Sequence, residues 1–153
     1  MSRRTLVIGG AVVALAALVY AFARDEPPSA QLRALEADPM AVYFPPGGSL
    51  VDTDSQNEGT TFGKPIAARY RRMFELAPGT AKRALEHARA AAMTAGWVTL
   101  DGPSRAFPNV FSADKSVPSG QIGLGVTVFA DGRLLPEDVQ PPALLVSLRH
   151  HGP

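Results

Sequence analysis

Residues 66–97 read IAARYRRMFELAPGTAKRALEHARAAAMTAGW, and this stretch decides the fold. Its first part alternates, with Ile66, Ala68, Tyr70, Phe74 and Leu76 on one side and Ala67, Arg69, Arg71, Met73 and Glu75 on the other. That is the period of a half-buried strand, and Arg72 alone breaks it. Pro78-Gly79 then turns the chain, and Thr80 is placed to cap a helix in which Ala81, Ala84, Leu85, Ala88, Ala92 and Ala95 recur at helical spacing until Gly96 stops it. A stripe made mostly of alanine lets this main helix lie close to whatever it covers. Lys82, Arg83, Glu86 and Arg89 take its outward face.

Downstream of the helix the signals are those of strands. Trp97 to Leu100 reads as a strand closed by Asp101-Gly102-Pro103, with the Trp97 ring expected to be buried against the alanine face. Val110 to Lys115 is a weaker strand. In Gln121 to Phe129, Ile122, Leu124, Val126 and Val128 alternate with Gly123, Gly125, Thr127 and Phe129. A Pro-rich loop, Leu134 to Pro142, precedes a last strand, Ala143 to Arg149. Strand, helix and a run of strands joined by short connections predict an α+β two-layer domain at 64–150, a mostly antiparallel sheet with one main helix on one face.

Upstream, Ser29 is placed to cap a brief helix, Ala30 to Ala37, which Asp38-Pro39 stops. From Met40 to Gly63 turn residues dominate, so 24–63 reads as a stalk, a short helix and a turn-rich connector with a short strand at Leu50-Val51. The string from Leu35-Glu36-Ala37-Asp38-Pro39 through Pro45-Pro46-Gly47-Gly48, the Ala67-Ala68-Arg69-Tyr70 strand and the Ala-rich helix ending in Gly96-Trp97 resembles uncharacterised small exported or membrane-anchored proteins of actinobacteria. That resemblance rests on layout and implies compartment and fold alone.

Ahead of all this lies Thr5 to Ala23, 19 uncharged residues behind Arg3 and Arg4. A helix of that length rises about 28 Å, close to the hydrocarbon thickness of a bilayer. Flanking arginines stay cytoplasmic, so the expected protein is single-pass, with its N-terminus inside and the rest of the chain outside. Length favours an uncleaved signal anchor. Ala21-Phe22-Ala23 also offers a cleavage site, giving a secreted product after Ala23, and Ser2-Arg3-Arg4-Thr5 resembles a twin-arginine export signal. The bilayer is the first expected partner.

The 15 Lys and Arg fall to 13 without Arg3 and Arg4, against 14 Asp and Glu, so nothing here attracts nucleic acid. The absence of cysteine excludes disulfides, a thiol nucleophile and a thiolate-bound metal. Asp52, Asp54 and Glu58 fail the calcium-loop pattern, because Asn57 stands at the glycine position and Gly63 where the bidentate glutamate belongs; a polar turn is the better reading. His150-His151 reads as an exposed tail whose two side chains point apart, and His87 as a boundary histidine with no carboxylate to orient it. No serine falls in a nucleophile elbow, and Gly123-Leu124-Gly125 marks a bulge or a place of close approach rather than a phosphate loop. No cofactor, metal or catalytic residue is expected.

Two functions remain open on the sequence. One is a membrane-tethered binding module for an envelope or membrane protein partner. The other is an exported hydrolase-type enzyme with a site assembled from dispersed residues, for which a pocket holding His87 or His150 beside a carboxylate would speak. For the binding module the strand periods collect Arg69, Arg71, Met73, Phe129, Leu145 and Arg149 on the sheet side away from the helix, a mixture of guanidinium and apolar groups typical of interfaces.

Overall fold

The computed structural model describes residues 27–100, 109–131 and 135–151. The expected membrane segment Thr5–Ala23 and the turn at Asp101-Gly102-Pro103 lie outside them. Among the described residues no helix is long and apolar enough to cross a membrane.

The chain order is α1 (Ala30–Glu36), a 3-10 turn (Pro39–Ala41), β1 (Gly48–Gln56), β2 (Gly59–Thr61), β3 (Lys64–Ile66), β4 (Arg69–Leu76), α2 (Ala81–Thr94), β5 (Val98–Thr99), β6 (Val110–Val117), β7 (Gly120–Phe129) and β8 (Ala143–His151). Six strands form one sheet in the order β1-β4-β8-β7-β6-β5, every neighbour antiparallel, while β2 and β3 form a separate hairpin. The α+β class with an antiparallel sheet is therefore as the sequence predicts.

One face of the sheet holds the core. Phe74 and Leu76 of β4, Leu144, Val146 and Leu148 of β8, Ile122, Leu124, Val126 and Val128 of β7, and Phe111 and Ala113 of β6 are buried in a single cluster with Leu32 and Leu35 of α1 and Ala84, Ala88 and Ala92 of α2. Both helices thus cover the same side. Alanine at the contact brings α2 down onto β6, β7 and β8. Gly96, at φ +83°, takes the left-handed conformation that ends the helix, and Trp97 folds back into the core with its N–H on the Ala92 carbonyl. Ser29 caps α1 by accepting from the Leu32 N–H, but Thr80 does not cap α2: its hydroxyl donates to the Ala77 carbonyl.

The connector is where sequence and structure part. Residues 48–56 form a nine-residue edge strand, paired with β4 from Gly48↔Leu76 to Gln56↔Arg69 with an irregularity between Leu50 and Asp52. Its polar run Asp52-Thr53-Asp54-Ser55-Gln56 lacks apolar alternation because an edge strand is open to water, where charge is tolerated and guards against edge pairing. Residues 40–45 are equally ordered. Met40, Ala41 and Tyr43 are buried in the core cluster on the helix side, and Pro45 is buried as well. Arg72, the exception in the β4 pattern, points to that side and donates to the carbonyls of Ala41 and Tyr43 at 3.2 and 2.9 Å, its guanidinium 5.0 Å from the centre of the Phe74 ring.

Candidate partner-binding face

The opposite face of the sheet carries neither helix. Registers fix its layout: Arg69 lies opposite Arg149, Arg71 opposite Ser147, and Met73 opposite Leu145, while on β7 Gly123, Gly125 and Thr127 stand opposite Arg149, Ser147 and Leu145. Phe129 continues this row opposite Ala143. All six residues picked from strand period therefore share one side. Arg149 is exposed and the other five are partly buried.

Part of that burial comes from a loop. The Gln140 N–H donates to the Glu75 carboxylate at 2.8 Å, and Val139 and Ala143 are buried outside the main core cluster, so residues 135–142 close over the Phe129 end. The Met40–Tyr43 segment packs on the other side. The Arg69 end stays open.

Charge at that end is concentrated. Arg69 and Arg71 both reach the Asp54 carboxylate of β1, at 3.1 and 2.6 Å. The hydrogen bond from Arg71 holds the Asp54 carboxyl below the usual range, with the charges of Arg71 and Arg69 adding and partial burial opposing. Arg149 has no ion pair among the described residues, although Arg69 stands directly across from it, and Arg69 Nε is buried without an acceptor. Like charges opposed across strands are unfavourable unless something anionic joins them. Asp54 was legible only as part of a polar turn, so its pairing with two arginines was not readable before β1 was seen.

The glycines of β7 form a smooth floor beside this cluster. Their registers are continuous, so no bulge exists, and close approach is found at Gly123 and not at Gly125. A Cβ on Gly125 would meet nothing within 4 Å; one on Gly123 would lie 2.5 Å from His151 Nε2. His151 crosses over Gly123 to meet Asp114 at 3.4 Å, and Gln121 donates to the same carboxylate.

The histidines differ from their sequence reading. His150 and His151 are not a tail but the end of β8, and they do point apart: His150 is buried on the core side, His151 lies on the open one. His150 Nε2 lies 3.3 Å from the Ser119 hydroxyl, and its Nδ1 is buried without a partner. His87, on the exposed side of α2, meets the Tyr43 hydroxyl at 3.1 Å from Nδ1. Neither contact joins histidine to carboxylate; that pairing occurs at His151, on an open surface. Among the described residues no group of three or more His, Asp or Glu is placed to hold a metal. Comparison with protein-family models, characterised proteins and solved structures finds no match.

Proposed function

We propose that the protein is a membrane-tethered, extracytoplasmic binding module whose open sheet face takes an acidic, partly apolar segment of an envelope or membrane protein. The charge arrangement carries this reading: Arg69, Arg71 and Arg149 are gathered at one end against Asp54 as their one carboxylate among the described residues. Guanidinium forks match carboxylates in geometry, and the half-buried Met73 and Leu145 pair lies two register steps further on. A segment with carboxylates at one end and an apolar side chain at the other fits that order. The floor at Gly125 leaves room for backbone to approach.

The test is fluorescence anisotropy of a labelled glutamate-rich peptide containing one leucine, titrated with the detergent-solubilised full chain. Binding that weakens with salt and is lost in Arg149→Glu is expected. Equal binding by Arg149→Glu, or none by the wild type, overturns the reading.

A further inference from the structure

The β2–β3 hairpin is the least explained part of the molecule. Thr61 pairs with Lys64, which leaves Phe62 and Gly63 as the two turn residues, at φ +50° and +74°. Two positive φ values in a two-residue hairpin demand the turn type that asparagine and glycine normally fill. Here a phenylalanine takes the first place, in a backbone conformation that costs a bulky residue, and its ring is fully exposed. Nothing among the described residues compensates: the hairpin is a sheet of its own, and every residue from Gly59 to Pro65 is exposed. An aromatic ring held outward at the cost of strain points to something outside the chain.

The root of this hairpin is bonded to the place where the chain leaves toward its N-terminus. The Ser29 N–H donates to Asn57 Oδ1 at 2.8 Å, Asn57 Nδ2 donates to the Pro27 carbonyl, and the Ser29 hydroxyl donates to Glu58. Between Ala23, where the apolar run ends, and Pro27 lie only three residues, so Pro27, to which the hairpin root is bonded, stays within about 14 Å of the run even when that link is fully extended. The hairpin itself is about 10 Å long. Its tip is therefore within reach of the headgroup layer of a bilayer holding Thr5–Ala23. Phe62 offers an apolar ring to the headgroup/acyl boundary, and Lys64 beside it suits anionic headgroups.

We infer that the β2–β3 hairpin is a membrane-docking finger, with Phe62 entering the headgroup layer and Lys64 facing anionic lipid. This rests on the tether reading above. It sets the Gln56–Arg69 end of the sheet toward the bilayer and the Gly48–Leu76 end away from it, because β4 runs from one to the other over eight residues.

The chain has no cysteine, so single labels are clean. Full-length Thr61→Cys and Ala77→Cys, each carrying an environment-sensitive fluorophore, are reconstituted into phosphatidylcholine vesicles containing phosphatidylglycerol and a spin-labelled lipid quencher. Expected are flotation of both, a blue-shifted and quenched label at position 61, a water-like label at 77, and loss of the shift at 61 when Phe62→Asn is added, since asparagine suits the turn and keeps the hairpin. Flotation with a water-like label at 61, equal quenching at 61 and 77, or a shift that survives Phe62→Asn overturns the docking finger while leaving the tether intact. Failure of every variant to float removes the tether, and the finger with it.

Discussion

The Asp38 carboxylate accepts the indole N–H of Trp97 at 3.1 Å across the interior of the domain. The same oxygen takes the Met40 N–H at 2.9 Å, and the other oxygen takes the Lys115 ammonium at 2.8 Å. Lys115 also lies 5.7 Å from the centre of the Trp97 ring. One buried carboxylate thus ties the 3-10 turn, the tryptophan that follows the stop of α2, and β6. These three segments are remote in sequence, and Asp38 is placed among them by capping the turn it precedes.

Trp97→Ala is expected to cost about 3–5 kcal/mol, by cavity formation and by stranding Asp38 Oδ1. Trp97→Phe fills most of the space and should cost about 1–3 kcal/mol, the share due to the unmade hydrogen bond. Urea titration of both variants separates the two contributions. A water-exposed emission maximum from this single tryptophan in the folded protein would contradict the burial.

Asp38→Ala leaves an indole donor buried and Lys115 without its counter-ion. Removing one partner of a buried pair costs about 3–5 kcal/mol, and the partial exposure of Lys115 puts the expected loss toward the lower end. Adding Lys115→Met should recover part of it, because the stranded charge is gone. A double-mutant cycle with no coupling would mean that the ion pair contributes nothing.

Tyr43 is held by burial at a pKa of about 12, above the usual tyrosine value, with its hydroxyl on His87 and near the Ala84 carbonyl. A raised folded pKa means the neutral form stabilises the fold below the unfolded value of about 10, and that contribution is lost as pH rises through about 12. Ultraviolet titration should show a late tyrosinate step that Tyr43→Phe removes. The sign is opposite for Asp54, whose folded pKa is depressed: its contribution is present above the ordinary carboxylate value and is lost as pH falls below it. Because that pair is more than a third exposed, its share should stay under about 1 kcal/mol.

How far the sequence could be read follows from where each signal lives. Strand period in β4, β7 and β8 and the alanine stripe of α2 are local, so the layers and the six residues of the open face were legible from them. Partners brought in by pairing were not. Asp54 belongs to an edge strand whose DTDSQ run has no apolar period, so the carboxylate that collects Arg69 and Arg71 looked like turn chemistry. The β2–β3 turn was hidden because phenylalanine stands where asparagine would announce it. Arg72 broke the strand pattern for a reason visible only in three dimensions, its bonds to the Ala41 and Tyr43 carbonyls. His150 was buried by β8 running on to His151, two residues beyond the apolar alternation.

The floor of the open face offers the sharpest separation of stability from binding. Gly125 lies in the middle of β7, its φ is ordinary, and a Cβ there meets nothing within 4 Å. Gly125→Ala should therefore be neutral, or stabilising by about 0.4–1 kcal/mol through the unfolded chain. Gly125→Glu adds bulk and negative charge beside Ser147, one register step along β8 from Arg149, so an acidic segment should be both blocked and repelled. Thermal melts of the two variants are expected to lie within a few degrees of the wild type, a shift consistent with less than about 1 kcal/mol. In the anisotropy titration Gly125→Ala should bind the glutamate-rich peptide and Gly125→Glu should not. Full binding by Gly125→Glu at unchanged stability would show that the peptide lies elsewhere, and the arginines at Arg69, Arg71 and Arg149 would then be a solvated surface.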